Sequence, residues 1–142
     1  MLLSGKNIYK LDAKNRFSVP GAFFSRGRKF FLTLGLDGCI FLYPAEEWKK
    51  LQDRITFSDY FRSVNRKFLR IFFAWSGEIT ADSHNRLLIP AELKKKAGIR
   101  KEIVLIKIGG WFEIWDPAKF MAYEKANRDT YEQLAEKLDI KI

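Results

Sequence analysis

Tyr9 and Leu11 alternate with Ile8, Lys10 and Asp12, and Phe17 and Val19 alternate with Arg16 and Ser18. A period of two with one apolar and one polar side is the signature of half-buried β-strands. The same parity returns in the second half of the chain, where Ile79, Ala81, Leu87 and Ile89 share one face and Thr80, Asp82 and Arg86 the other. A polar three-residue turn, closed by Asn15 in the first case and Asn85 in the second, separates each pair of strands. After Gly, Asn is among the residues that best tolerate the positive φ of a tight turn, so two β-hairpins are expected here. A Pro then opens a short helical or turn segment after each hairpin, Pro20 to Ser25 and Pro90 to Ala97, with Pro suited to the first helical position and Gly98 placed to end the second segment.

A further hairpin follows in each half: Lys29 to Tyr43 around Asp37-Gly38, and Glu102 to Trp115 around Gly109-Gly110, both dipeptides that favour hairpin turns. Helices are expected to begin near Pro44 and Asp116. The second of these runs from Pro117 to Leu138 and sets Phe120, Tyr123, Tyr131, Leu134 and Leu138 near helical spacing. Between the halves, Phe57, Phe61, Val64, Phe68, Phe72 and Trp75 recur every three or four residues, which predicts an amphipathic helix from Ser58 to Trp75 with Ser58 as its cap. Arg62, Arg66 and Arg70 lie on its other face, a surface expected to meet solvent or another subunit.

The halves are a repeat. Leu11-Asp12-Ala13-Lys14-Asn15-Arg16-Phe17-Ser18-Val19-Pro20 returns as Ala81-Asp82-Ser83-His84-Asn85-Arg86-Leu87-Leu88-Ile89-Pro90, and Leu32 to Trp48 parallels Leu105 to Phe120. Self-similarity of this kind means two equivalent structural units. Nothing between them resembles a flexible linker, so the expected organisation is one unit over 1–56, a connecting helix over 57–76, and a second unit with a C-terminal helix over 77–142, the two units sharing one core.

With 47% hydrophobic residues, among them 13 Phe, 5 Tyr and 4 Trp, the chain has ample core material for an ordered fold. No apolar run approaches the roughly 20 residues that span a bilayer, and Met1 to Lys10 lacks the order of a signal peptide, so a cytoplasmic protein without a membrane partner is expected. The single cysteine, Cys39, excludes an internal disulfide or a Cys-rich zinc site and is expected to be a buried thiol. The net charge of +9 favours a polyanionic partner. Its distribution is uneven: residues 1–70 hold 14 basic and 6 acidic side chains, residues 71–142 hold 12 and 11.

On each turn the parity puts Asp and Arg on the polar face, four residues apart: Asp12 with Arg16, Asp82 with Arg86. Two readings of that pair stand side by side. An ion pair would hold the guanidinium as a fixed fork suited to phosphate or a guanine edge; alternatively, the carboxylate caps its own turn amides and the Arg only pairs with it. Arg26, Arg28 and Lys29 extend a phosphate track or form an ordinary solvated loop. Lys94-Lys95-Lys96 reads as a solvated helix surface, and His84, the only His, as an exposed turn residue with no second His to complete a metal site. No Gly-rich phosphate loop, nucleophile beside a His, or metal quartet is present, and Asp12 and Asp82 beside arginines are poor general acids. A non-enzymatic protein without cofactor, metal or small-molecule substrate is expected.

These residues resemble the MraZ family, bacterial transcriptional regulators with two AbrB-like swapped-hairpin units per chain. The resemblance rests on the paired Asp-x-x-x-Arg turns at Asp12–Arg16 and Asp82–Arg86, on Gly35-Leu36-Asp37-Gly38-Cys39-Ile40-Phe41-Leu42-Tyr43-Pro44 with Trp48, and on Arg70-Ile71-Phe72-Phe73-Ala74, and it covers nearly all of the chain. The family usually has Gly where Asn15 and Asn85 stand, and Lys or Arg in the slot that Lys14 fills and His84 replaces. The resemblance implies an α+β fold of duplicated swapped-hairpin β-barrel units with flanking helices. It implies double-stranded DNA as partner, met through Lys14, Asn15 and Arg16, with His84, Asn85, Arg86, Arg26 and Arg28 as further contacts and Asp12 and Asp82 in support. It also implies a nucleoid-associated, ring-like homo-oligomer of about eight to twelve subunits, acting on short promoter repeats upstream of a division and cell-wall gene cluster. The rival class is a ring-forming scaffold or an antitoxin-like interaction module.

Overall fold

Both Asp-x-x-Asn-Arg turns form, but the strands on either side of each turn do not pair with each other. The computed structural model describes residues 5–140; the expectation for the Met1–Lys10 start and the outer limits of the first and last units extend to residues 1–4 and 141–142, outside the described residues. Strand β1 (Lys6–Lys10) pairs antiparallel with β7 (Glu102–Ile108), and β5 (Gly77–Thr80) pairs with β3 (Lys29–Leu34). Beyond the turns, β2 (Arg16–Ser18) pairs with β6 (Arg86–Leu88), Phe17 opposite Leu87. Each half thus lends its first strand to the other half's hairpin, the swapped arrangement that the duplication makes possible within one chain.

The hairpins around Asp37-Gly38 and Gly109-Gly110 pair locally, β3 with β4 (Ile40–Pro44) and β7 with β8 (Trp111–Trp115). Because β4 also pairs with β8, six strands join in the order β1-β7-β8-β4-β3-β5, with the seam between the halves in the middle. The β2–β6 ribbon is a separate two-stranded sheet. The period-two faces close on one core drawn from both halves: Phe17, Phe30, Leu32 and Leu42 from the first, Leu87, Ile89, Ile103 and Ile114 from the second, all essentially without solvent contact. Each such side chain contributes about 1.5–3 kcal/mol by leaving water.

A second cluster backs the sheet. Helix α1 (Ala45–Arg54) buries Trp48, whose indole stacks on Phe31 at 5.2 Å and on Phe72 at 5.7 Å. The buried hydroxyl of Thr33 donates to the Phe72 carbonyl, tying the sheet to the connecting region. Cys39 is buried in this cluster and donates to the Leu36 carbonyl; burial pushes its thiol up to about 12, so it stays protonated at neutral pH.

The helices depart from the sequence expectation in several places. The connecting segment is two helices, α2 (Phe57–Phe61) and α3 (Ser63–Ala74), broken where Arg62 turns extended. Its cap is Thr56 rather than Ser58, because Thr56 and Asp59 form a reciprocal capping box in which Thr56 Oγ1 accepts from the Asp59 amide and the Asp59 carboxylate from the Thr56 amide. Of its apolar stripe only Phe72 is buried, while Phe57, Phe61, Val64 and Phe68 face solvent. The C-terminal segment likewise divides into α5 (Pro117–Arg128) and α6 (Tyr131–Glu136). Pro117 takes the first helical position of α5, where its missing amide proton costs nothing. Pro20 and Pro90, by contrast, occupy the cap before a 3-10 turn (Gly21–Phe24) and before α4 (Ala91–Lys96).

Candidate nucleic-acid interface

The two turns repeat each other atom by atom. Asp12 Oδ1 accepts from the amides of Lys14 (2.9 Å) and Arg16 (3.0 Å), while its Oδ2 accepts from Arg16 Nε at 2.8 Å. Asp82 Oδ1 accepts from the amides of His84 and Arg86, both 2.9 Å, and its Oδ2 from Arg86 Nε at 2.7 Å. Asn15 and Asn85 stand at φ +63° and +58°, as the turn closure requires. The two readings of the Asp–Arg pair are therefore compatible: one carboxylate oxygen caps the turn and the other fixes the guanidinium. Since Asp takes only the Nε edge, the terminal nitrogens of Arg86 have no protein hydrogen bond among the described residues. Arg16 Nη1 has one further contact, 3.9 Å from Asp82 Oδ2. That contact joins the turns of the two halves into one platform.

Both arginine side chains keep about a quarter of their surface in solvent, 26% and 28%, and Lys14 and His84 are exposed. Hydrogen bonds from the Arg16 amide, the Lys14 amide and the Arg16 side chain hold the Asp12 carboxyl below its usual range. For Asp82, desolvation pushes upward, but the Arg86 amide and side chain and the His84 amide together outweigh it and bring the value to about 2. Both carboxylates are ionised at neutral pH and keep their grip on the arginines.

Each Asn is also held from the opposite half. Lys94 Nζ donates to Asn15 Oδ1 at 2.8 Å, and Arg28 Nη2 donates to Asn85 Oδ1 at 3.0 Å and to the Asp82 carbonyl at 2.6 Å. Backbone bonds run the same way, Val19 N to Asn85 O and Ile89 N to Asn15 O. The Arg28 guanidinium lies over the Phe24 ring, 4.6 Å from its centre. Lys94 is the residue that sequence reasoning missed: its partner is 79 residues away, and one-dimensional spacing holds no trace of it.

The cluster Arg26-Gly27-Arg28-Lys29 divides three ways. Arg28 joins the second turn; Lys29 pairs with Glu78 across β3 and β5 at 3.1 Å; Arg26 is bound by Glu47 at 2.6 Å, with Glu46 at 3.6 Å and the Gly110 carbonyl at 3.1 Å. Arg26 is thus not brought to the turns. The structure sets Arg16 and Arg86 on the two carboxylates and brings Arg28 and Lys94 to the same turns through Asn85 and Asn15, with Lys14 exposed on the first turn. Among the described residues no group of three or more His, Cys, Asp or Glu converges as a metal site would require, and no helix is long and apolar enough to cross a membrane.

The positive φ makes a local prediction. Asn15→Val forces a β-branched residue into the left-handed region and is expected to cost about 1–3 kcal/mol. Asn15→Gly keeps the backbone relaxed and loses only the Lys94 bond, about 0.5–1.5 kcal/mol. Urea denaturation of the two variants reads this order, and equal stabilities would contradict it.

The protein-family model described as MraZ protein, antitoxin-like, matches the chain twice, over residues 2–71 and 72–140. Proteins named transcriptional regulator MraZ are similar along nearly the whole length. That of Clostridium tetani is 41% identical over 135 residues, 94% of each chain; that of Clostridium beijerinckii 39% over 136 residues, 95% of each; that of Heliobacterium modesticaldum 37% over 138 residues, 96% of each.

Proposed function

The chain belongs to the MraZ family, and from that premise we propose that it is a transcription regulator that grips double-stranded DNA with its paired turns. The observation that carries this reading is the twice-built fork, in which Asp12 and Asp82 hold Arg16 and Arg86 by Nε, leaving the terminal nitrogens of Arg86 for an outside acceptor and those of Arg16 with no closer contact among the described residues than 3.9 Å from Nη1 to Asp82. Such a fork suits a guanine edge or a phosphate, and its fixed orientation reduces the rotamer freedom lost on binding. Lys14 and His84 flank it toward the phosphates, and Arg28 and Lys94 steady the turns through Asn85 and Asn15. Arg26, committed to Glu47, serves packing of α1 in this reading.

One chain neutralises only a few phosphates, which makes a lone copy weak and salt-sensitive. A ring-like homo-oligomer, facing successive short repeats in a promoter upstream of its own division and cell-wall genes, multiplies the contacts without adding new kinds. The protein then works in the cytoplasm, at the nucleoid. Footprinting on native upstream DNA, with gel shifts at increasing salt, tests the proposal. Protection is expected at regularly spaced short repeats, and affinity is expected to fall by roughly a thousandfold or more between 50 and 200 mM salt, as for proteins that release several counterions. Absence of any retarded complex at low salt would leave the scaffold reading in its place.

A further inference from the structure

The two turns are built alike, but they do not carry the same charge. Lys14 and His84 occupy one structural position: the amide of each donates to Oδ1 of its turn's aspartate, at 2.9 Å in both cases, and both residues are exposed. The first turn, with Asp12, Lys14 and Arg16, carries a net charge of +1. The second, with Asp82, His84 and Arg86, is neutral while the imidazole is neutral and reaches +1 when the ring takes up a proton. An imidazole changes charge between about pH 5 and 8, a range in which Lys and Arg stay cationic.

His84 is the one histidine of the chain, and the groups around it hold their charge across that range. On its own turn, the Asp82 carboxyl is held at about 2 and Arg86 is a guanidinium. From the segment before β3, Arg28 reaches the Asp82 carbonyl at 2.6 Å. From the first turn, Arg16 Nη1 stands 3.9 Å from Asp82 Oδ2, and the Asp12 carboxyl that binds Arg16 lies below its usual range. The Cys39 thiol, pushed up to about 12, stays protonated within its cluster. Among the described residues the ring has one hydrogen-bond partner, the Ser83 hydroxyl, 3.3 Å from Nδ1, so Nε2 is left for an outside acceptor.

We infer that His84 makes the grip of the second turn on DNA dependent on pH, its proton adding one phosphate contact per chain. A polyanion favours the charged ring, so affinity rises as pH falls and is lost again as the ring gives up its proton. Arg86 keeps its charge and its bond to Asp82 at either pH, and contacts to phosphate position a protein without reading sequence. The strength of binding therefore changes while the preferred site does not. This inference rests on the DNA-binding reading above and adds a regulation of that same site.

Fluorescence anisotropy of the full-length protein on native upstream DNA, with salt titrations at about pH 6 and about pH 8, tests it. At the lower pH the wild-type protein is expected to bind more tightly, with a slope of log affinity against log salt steeper by about one for each chain engaged, and with the same footprint. His84→Gln keeps a neutral donor in the slot and is expected to show the shallower slope at both pH values. His84→Lys copies the first turn and is expected to show the steeper slope at both. Both variants retain the backbone amide that Asp82 binds, Lys14 already occupies the matching position, and thermal melts check that folding is intact. Equal wild-type affinity and slope at the two pH values would overturn the inference and leave the DNA-binding reading standing, as would a pH response that survives in His84→Gln. Absence of a complex at either pH would remove that reading and this inference together.

Discussion

Arg16→Ala is expected to abolish the footprint at DNA concentrations that saturate the wild-type protein, while the mass of the assembly is unchanged. Arg16 is the hinge of the platform: its Nε is fixed by Asp12 at 2.8 Å, and its Nη1 approaches Asp82 of the other turn at 3.9 Å. A bidentate side chain on a base edge carries about 1–3 kcal/mol of discrimination, so one reading head loses roughly ten- to a hundredfold in affinity. Truncation also leaves the Asp12 carboxylate without its cation, and a bare anion facing phosphate opposes binding. In a multivalent assembly every copy carries the defect, and the losses compound. Arg16→Lys separates geometry from charge: Lys has no Nε–H beside two further donors and cannot present the same fork, so it is expected to bind nearly as poorly as Ala. Recovery by Lys would reduce the role of Arg16 to a phosphate charge, and wild-type affinity in the Ala variant would end the proposal that this turn reads DNA. Lys14→Ala is the internal comparison, since loss of one exposed phosphate contact should lower the salt slope by about one.

Cutting the chain at the family-repeat boundary has the other large expected effect. Residues 1–71 alone would leave β3 without β5 and β2 without β6, and residues 72–142 alone would leave β7 without β1. Either fragment also opens the shared core, where Phe17 and Val19 belong with Leu87 and Ile89. Removing even one buried Leu or Ile typically costs 2–5 kcal/mol, against a total stability of about 5–15 kcal/mol, so exposing half the cluster exceeds what a fragment can sustain. Neither fragment is expected to show a cooperative melt as a monomer, whereas coexpressed fragments should copurify in equal amounts and recover the sheet spectrum by circular dichroism. A monomeric, cooperatively folding 1–71 fragment would mean that the strand exchange between halves is dispensable.

Local chemistry wrote much of this protein into its sequence. The Asn at each turn, the Asp two and four residues before the amides it caps, and the Gly dipeptides of the local hairpins act over a few residues, and the turns and hairpins formed where those residues stand. Period-two alternation also identified correctly which side chains face the core, because strand parity fixes the face whatever the partner. It does not fix the partner itself. That β1 lies on β7 and β5 on β3 depended on where apolar faces from both halves could close on one another, an energy distributed over residues as far apart as Phe17 and Ile114.

The same limit explains the charged residues. Arg26 and Arg28 stand two positions apart in one basic cluster, yet Glu47 on α1 binds the first and Asn85 in the other half binds the second. Lys94 looked like solvated helix surface until the fold laid α4 beside Asn15. The start of α2 at Thr56 followed from the reciprocal capping box with Asp59, and the stripe from Phe57 to Phe68 stays exposed beside a sheet already covered by Trp48 and Phe72. Turn shape, strand face and the Asp–Arg forks are determined by interactions within about five residues, so the sequence alone specifies them. Strand partners, the meeting of the two turns and the fate of each cation depend on contacts across tens of residues, and those exist only once the two halves have folded into each other.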